Sequence, residues 1–223
     1  SSTQPVTVTV TGTNDAPVID VSNLSVTYNE DGTTKFSGLS VTDVDASPGE
    51  NFTITASTDD QNSSVTLSPG DATLAGVNST LQSGVIYHEA EAPSPTDMVT
   101  VTVTDGQGAT DAVNFVFSTV ENPTSPVVLT GTEGKDVYVG TAQSDQFVFG
   151  AGSNHDTIMN FQADQDTIDL SAVAAPSDLG VWYSQHVQPS STNPNDTVIT
   201  ISATDTITLH NATVHPSDFI FSV

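Results

Sequence analysis

The sequence predicts an all-β protein in which an antiparallel β-sandwich is followed by a short parallel β-roll with a C-terminal β cap. Three observations lead to this fold class. Threonine and valine alternate along segments such as Val99–Val103, and this is the period of a half-buried strand. Turn-forming residues recur every 8–15 residues up to Glu121, as in two-sheet sandwiches. Beyond Pro126, a nine-residue rhythm of glycine and aspartate replaces the alternation.

The change of pattern divides the chain into three parts. Residues 1–16 carry one alternating strand, Val6–Val10, and a turn cluster. Because a lone strand is not stable, we interpret this part as the last strand and linker of a preceding repeat, or as an edge strand added to the next domain. Residues 17–123 are predicted to form the sandwich and residues 124–223 the roll, and no helix is predicted. The predicted sandwich strands are Val18–Val21, Ser25–Tyr28, Thr34–Phe36 with Leu39–Val41, Phe52–Ala56, Val65–Leu67, Gly84–Tyr87, Met98–Thr104 and Val113–Val120.

The charge of the chain excludes several classes of partner. Two cationic residues stand against 27 acids, which gives a formal net charge of −25. Such a surface cannot neutralise phosphates, so nucleic acids and anionic lipid surfaces are excluded as partners. No run of residues is apolar enough for a membrane span. Cysteine is absent, so the stability of an extracellular form depends on burial or on a metal.

The choice of acid points to a metal. The chain has 21 aspartates against 6 glutamates, and the aspartates stand in clusters at turn positions. Aspartate forms turns and is a hard oxygen ligand, so this pattern predicts Ca²⁺ as the cofactor. The alternative is that the acids only keep the surface hydrated and soluble.

In the roll segment the acids follow a regular frame. Asp136, Asp145 and Asp156 each stand two positions before an apolar residue and follow a turn. In the G-G-x-G-x-D-x-U-x pattern the glycines expose carbonyls, the aspartate supplies a carboxylate, and the apolar residue enters the core. We expect one or two calcium sites between successive turns, with Asp136 and Asp156 as the principal ligands. The secondary candidates are Glu133, Asp145, Asp164, Asp166 and Asp169.

Short motifs in the first half carry a family resemblance. The runs VTVTVTGTNDAPVI, NEDG, LSVTDVDA and VTVTDGQGAT resemble the closing strand, linker and acidic loops of the cadherin-like (VCBS or Ig-like) tandem repeats of bacterial adhesins. The resemblance implies that acidic and amide ligands converge on Ca²⁺ at the junction with a preceding domain. The implied ligands are Asn14, Asp15, Asp43, Asp45 and Asp105, with Glu30 or Asp31 completing the group. The alternative is that these residues are ordinary turn formers.

The second half carries a second resemblance. The roll turns, the run DTIMNFQADQDTIDLSAV and the final DFIFSV make it similar to the C-terminal RTX module of type I secreted proteins, such as serralysin-type proteases and RTX adhesins. This resemblance implies that Asp218–Val223 is an uncleaved signal for a type I exporter. The segment Pro176–Asp196 has no counterpart in the family pattern.

No catalytic motif is present, so we expect no enzymatic activity. The five histidines form no H-E-x-x-H zinc motif, and there is no G-x-S-x-G elbow. We expect a secreted or cell-surface protein: a calcium-stiffened structural and secretion module of an adhesin. Its expected partners are neighbouring repeat domains, the type I exporter and a cell-surface or matrix ligand. The alternative is a sugar- or peptide-binding module, or an accessory domain of a secreted enzyme, in which Trp182, Tyr183 and His186 would hold the ligand.

Overall fold

A computed structural model describes residues 12–90, 94–150 and 152–222, so the predicted strand Val6–Val10 lies outside the described residues. The first half contains β1 (Val18–Asp20), β2 (Ser25–Tyr28), β3 (Thr33–Ser37), β4 (Ser40–Thr42), β5 (Thr53–Thr58), β6 (Ser64–Leu67), α1 (Leu74–Ser83), β7 (Val85–His88), β8 (Thr96–Thr104) and β9 (Thr110–Ser118). The second half contains β10 (Val128–Thr130), β11 (Asp136–Val139), β12 (Gln146–Val148), β13 (His155–Met159), β14 (Thr167–Leu170), α2 (Leu179–His186), β15 (Val187–Pro189), β16 (Thr197–Thr200), β17 (Thr206–Leu209), a 3-10 turn (Pro216–Asp218) and β18 (Phe219–Phe221). Within these residues, no helix has the length and apolar character needed to cross a membrane.

The first half is an antiparallel sandwich. β1 pairs with β4, and β2, β3, β7 and β6 form a four-stranded sheet in that order. β5, β8 and β9 pair antiparallel in another sheet. Side chains from these sheets share one core, in which Phe36 stacks on Phe115 with ring centroids 4.8 Å apart. The predicted all-β class and antiparallel sandwich are therefore confirmed.

Helix α1 differs from the prediction, which contains no helix. It begins after Thr73, whose Oγ1 accepts a hydrogen bond from the Gly76 N–H at 3.1 Å. It ends at Gly84, whose φ of 108° favours glycine. The helix buries the apolar side chains of Val77 and Leu81, and most of its other positions are small or polar. The apolar stripe is therefore too narrow to give a recognisable helical period.

The second half winds into a parallel β-roll. Successive strands alternate between two sheets, so that β11, β13 and β17 lie side by side in one, and β10, β12, β14 and β18 in the other. Each pairing is parallel, as where Val137 lies opposite Thr157. The apolar residue after each aspartate enters the roll core, and Tyr138, Phe147 and Ile158 are all fully buried there.

Strand β9 belongs to both halves of the molecule. It pairs antiparallel with β8 and parallel with β11, where Asn114 lies opposite Asp136. One eight-stranded sheet therefore runs without a break from β5 in the sandwich to β15 beyond the roll. On β11, Val137 and Val139 pack into the sandwich core, whereas Tyr138 packs into the roll core. Separating the halves would therefore remove Val137 and Val139 from the core in which they are buried and break the β9–β11 ladder.

A lysine holds the first strand of the sandwich to the start of the roll. Lys135 Nζ lies 2.6 Å from Asp111 Oδ2 and donates to the Ile19 carbonyl oxygen at 3.1 Å. The Ile19 N–H donates to the same Asp111 oxygen at 2.7 Å. Both charged side chains are 23% exposed, so water screens their attraction less than at an open surface. We call this group the lysine clasp.

The segment between β14 and β17 caps the end of the roll. β15 and β16 form a hairpin, and β16 extends the long sheet by pairing antiparallel with β17. In α2, Trp182 packs edge-on against Phe219 and Phe221, with ring centroids 5.2 Å and 5.1 Å away. This cap includes Pro176–Asp196, the segment that has no counterpart in the family pattern.

The lysine clasp predicts that substituting the two lysines of the chain changes the free energy of unfolding by different amounts. We expect Lys135→Met to lower the free energy of unfolding by about 1–3 kcal/mol, between the values for exposed and buried ion pairs, because Asp111 loses its counter-ion. Lys35 makes no ion pair within the described residues. Lys35→Met is therefore the matched control and should change the free energy by less than about 0.5 kcal/mol. Urea unfolding measures both, and equal losses would contradict a role for the clasp.

Candidate metal centres

Two successive coils of the roll place aspartates side by side at the start of their strands. Asp136 and Asp156 are 0% and 2% exposed, and the Asp136 N–H donates to Asp156 Oδ1 at 2.9 Å. Asn114, on β9, precedes them in the same row, and its Nδ2 donates to Asp136 Oδ1 at 2.8 Å. The structure therefore brings together the two principal roll ligands that the sequence predicts. We call these three residues the first row.

A second row repeats this arrangement in the other sheet of the roll. The Asp145 N–H donates to Asp166 Oδ1 at 2.9 Å, and both side chains are 1% exposed. Asp218 continues the row at the start of β18 and is also buried. The sequence names Asp145 and Asp166 as candidates without pairing them, because their spacing of 21 residues departs from two nine-residue repeats.

Three of the row aspartates also close the turns that precede them. In these three, a carboxylate oxygen accepts the backbone N–H of the residue four positions upstream. These donors are Thr132 for Asp136 at 2.6 Å, Thr141 for Asp145 at 2.5 Å and Gln162 for Asp166 at 2.8 Å. Bonds to an ionised oxygen are stronger than neutral ones, so the aspartates define the turn geometry by themselves. Their position in the fold thus has a structural cause besides any metal.

Asp156 is the least satisfied carboxylate of the first row. Its Oδ2 is buried and has no hydrogen-bond partner among the described residues. Burial raises the pKa of Asp156 to about 8, and the negative charge of Asp136 contributes to the increase. Burial likewise raises the pKa of Asp166 to about 6. Buried carboxylates placed next to each other need a proton or a cation, so the Asp136–Asp156 pair is the strongest candidate for an oxygen-ligand site in the roll.

The predicted junction residues meet at the amino-terminal end of the sandwich. Asn14 Nδ2 donates to Asp105 Oδ2 at 2.7 Å, and the Asp15 N–H donates to Asp45 Oδ2 at 3.3 Å. The Asp45 N–H donates in turn to Asp43 Oδ1 at 3.1 Å. Partial burial and the contact with Asp45 raise the pKa of Asp43, whereas the hydrogen bond from Asn14 lowers the pKa of Asp105. This junction group offers the oxygen ligands that Ca²⁺ prefers.

Glu50 joins the junction group, although it is not among the ligands predicted from the sequence. Its Oε1 accepts a hydrogen bond from the Gly106 N–H at 3.1 Å, and its charge contributes to the raised pKa of Asp43. The sequence could have indicated Glu50, because it is a third acid in the loop between β4 and β5 that holds Asp43 and Asp45.

Glu30 and Asp31 lie elsewhere, in the turn between β2 and β3. Their neighbours Asn29 and Gly32 line a cleft with Glu121 beyond the end of β9, whereas Asp105 lies before the beginning of β9. The structure therefore does not bring Glu30 to the junction.

Asp164 and Asp166 do not share a site, although they stand two residues apart. Asp166 is buried in the second row, whereas Asp164 is exposed and has a φ of 63°. Asp164 Oδ1 lies 3.0 Å from His215 Nδ1, and its N–H donates to Asp218 Oδ1 at 3.1 Å. His215 and Asp218 are absent from the sequence-based ligand set, since both lie more than fifty residues further along the chain.

The other secondary candidates are Glu133, which is exposed, and Asp169, which accepts hydrogen bonds from Gln146 and Ser171.

The aromatic residues considered for ligand binding take part in packing. Trp182 stacks on His186 with ring centroids 4.7 Å apart, and the Tyr183 hydroxyl donates to the Val214 carbonyl oxygen at 2.6 Å. A polar cleft of about 660 Å³ lies elsewhere, between the loop 59–62 and β10, and neither aromatic residue lines it. This cleft therefore gives no support to a sugar- or peptide-binding site at Trp182.

Comparison with known proteins assigns the sandwich to a family. Residues 14–118 match the family model described as the bacterial Ig domain, and the match ends at the last residue of β9. This segment is thus a bacterial Ig-like domain. No curated protein matches the chain.

Similarity to solved structures is distant. The chain resembles a lipoprotein from Bacteroides thetaiotaomicron with 16% identity and a TM-score of 0.35, over 52% of this chain and 88% of that one. It also resembles the extracellular lipase LipA from Serratia marcescens with 12% identity and a TM-score of 0.32, over 90% of this chain and 31% of the lipase. The chain therefore spans about a third of the length of that lipase.

The buried Asp156 predicts that stability in a chelator falls as pH rises. Its folded pKa of about 8 lies above the ordinary value of 3.8, so between these values the folded state binds more protons than the unfolded state. Asp156→Asn keeps an oxygen for the Asp136 N–H and removes this titration. When the pH is raised from about 5 to about 8, the free energy of unfolding of the unsubstituted chain should fall. We expect the fall to be smaller by roughly 1–3 kcal/mol in the variant.

The control for this titration is Asp59→Asn, because Asp59 is exposed in a loop. It should keep the pH dependence of the unsubstituted chain. Urea unfolding at several pH values, with chelator throughout, measures the three profiles. Coincident profiles for Asp156→Asn and the unsubstituted chain would show that Asp156 does not titrate in this window.

Proposed function

We propose that the chain is a calcium-stiffened structural and secretion module of an extracellular adhesin, with no catalytic activity of its own. In this proposal a type I system exports the chain, which then folds in external Ca²⁺. The observation that carries the proposal is the Asp136–Asp156 pair, in which two buried carboxylates are adjacent and one oxygen has no partner. A hard divalent cation bound by oxygen ligands is the partner that satisfies such a pair.

The net charge supports dependence on a cation. The folded chain confines a charge of −25 with two cationic residues, and each bound Ca²⁺ cancels two negative charges. Because the rows exist only when the coils are stacked, the free energy of metal binding adds to the free energy of folding. Extracellular calcium modules bind with dissociation constants of about 10⁻⁴–10⁻³ M. Sites in this range stay empty in the cytosol and fill outside the cell.

The shared sheet supports a mechanical role. β9 is bonded to the sandwich on one edge and to the roll on the other, so the connection between the halves is a strand ladder and not a free linker. The lysine clasp adds a second contact across the same boundary. An adhesin that must hold a fixed distance from the cell needs modules that do not bend against each other.

The junction group supports contact with a neighbouring repeat domain. Val44 stands between Asp43 and Asp45 and is 85% exposed. An apolar side chain rimmed by carboxylates, at the end where the preceding part of the chain enters, fits a calcium-bridged interdomain contact. A sugar- or peptide-binding role lacks comparable support, because Trp182 and Tyr183 are committed to packing.

Export before folding is consistent with the position of the proposed signal. Phe219, within Asp218–Val223, pairs with Ile168 of β14 and is 8% exposed in the folded roll. An exporter that reads these residues must therefore act before the last coil forms. Low cytosolic Ca²⁺ would keep the segment unfolded until transit is complete.

Calcium is expected to stabilise the chain, and removal of Ca²⁺ by a chelator should lower the melting temperature. Millimolar Ca²⁺ is about 1–10 times the dissociation constant given above, so each filled site adds about 0.4–1.4 kcal/mol, which corresponds to roughly 1–6 °C for a chain of this size. The double substitution Asp43→Asn with Asp45→Asn should reduce the calcium-dependent shift. Glu30→Gln is the matched control and should not. Identical melting curves in millimolar Ca²⁺ and in chelator would end this proposal.

Export is expected to require the C-terminal region. A chain lacking residues 164–223, expressed in a cell with a type I exporter, should remain inside the cell. Trp182→Ala loosens the folded cap but keeps the proposed signal, so this variant should still be exported. Immunoblots of medium and cell fractions measure the distribution. Efficient secretion of the shortened chain would place the signal elsewhere.

A further inference from the structure

We infer that Asp164, His215 and Asp218 form a separate binding site for a divalent transition-metal ion, with one nitrogen and two oxygen ligands. The three side chains come from two distant segments, the loop before β14 and the 3-10 turn before β18. Each offers one ligand atom, and the three atoms lie within 4.8 Å of one another. A single ion can therefore contact all three after small side-chain movements. This inference does not depend on the proposed calcium function.

The geometry is held by the buried member of the group. Asp218 is 2% exposed, and its two oxygens accept the backbone N–H groups of the other two residues. The bond from Asp164 N to Asp218 Oδ1 is 3.1 Å, and the bond from His215 N to Asp218 Oδ2 is 2.8 Å. The same carboxylate thus fixes the backbone positions of both exposed ligands. Fixing the ligands before the metal arrives reduces the ordering cost of binding.

The ligand types distinguish this site from the oxygen-only groups. His215 Nδ1 already lies 3.0 Å from Asp164 Oδ1, and this contact raises the pKa of His215. An imidazole nitrogen with two carboxylates suits Zn²⁺ and similar ions, whereas Ca²⁺ prefers oxygen ligands throughout. Asp164 is accordingly better assigned to this site than to an oxygen-only calcium site with Asp166.

The position of the site gives the metal a structural consequence. Asp164 and His215 are 51 residues apart, and β14, the cap and β17 lie between them. A metal bound here would join the loop that leads into β14 to the turn that leads into β18, which is the strand beside it. The site would therefore fasten the last strand of the roll onto the sheet.

Isothermal titration of the full chain with Zn²⁺ tests the inference, with saturating Ca²⁺ present so that oxygen-only sites are occupied. We expect one Zn²⁺ per chain. Both His215→Ala and Asp164→Asn should weaken binding by at least about tenfold, since even the loss of an outer-shell partner costs that much. Both substitutions leave the buried Asp218 in place. His210→Ala is the matched control, because His210 also contacts an aspartate, Asp196 at 3.4 Å, but has no third ligand within the described residues.

The outcomes separate the two proposals. Unchanged Zn²⁺ affinity in His210→Ala, with loss in the other two variants, supports the site. No Zn²⁺ binding in the presence of Ca²⁺, or equal binding by His215→Ala and the unsubstituted chain, overturns it. The calcium-dependent melting shift of His215→Ala should equal that of the unsubstituted chain. The proposed function can therefore fail without affecting this inference, and this inference can fail without affecting the proposed function.

Discussion

The parallel pairing of β9 with β11 is the interaction on which the rest of the structure depends. It converts the last strand of an Ig-like domain into the first strand of a roll, so that the roll starts on an edge that the sandwich has already formed. A short parallel sheet is hard to nucleate, because its contacts join residues far apart in the chain. Here the sandwich supplies the first strand, and Val137 and Val139 of β11 contribute to its core. The cores of both halves therefore meet at one strand.

The alternation of Thr and Val, together with the spacing of the turn residues, predicts the sandwich strands, and β2 agrees with the prediction residue for residue. Strands with one buried face keep a strict period, which is the strongest local signal in such a chain. The helices have no comparable signal. α1 buries a narrow stripe and depends on tertiary contacts, including Asn78, whose side chain bonds both backbone groups of Val41. α2 buries no residue completely, so its position is set by the roll that it covers.

The candidate sites were predictable to the extent that a motif repeats. The Gly/Asp rhythm identifies Asp136, Asp145 and Asp156, because the same turn chemistry recurs in each coil. The rhythm does not indicate that Asp166 is buried while Asp164 is exposed. This difference depends on the left-handed backbone conformation of Asp164 in the loop before β14. Contacts such as Asp164 with His215 join segments that only the finished roll brings together. A local sequence pattern carries no information about such pairs.

The amide of Asn114 gives the first row a direction. Its oxygen accepts from Thr100 on β8 at 2.8 Å, while its nitrogen donates to Asp136 on β11 at 2.8 Å. An aspartate at this position would have no hydrogen to offer Asp136 and would place another carboxylate beside the Asp136–Asp156 pair. The first row therefore begins with the neutral Asn114, and its two carboxylates, Asp136 and Asp156, follow later in the chain. The contact between Asn114 and Asp136 thus ties the start of the roll to the sandwich sheet without using any of the later carboxylates.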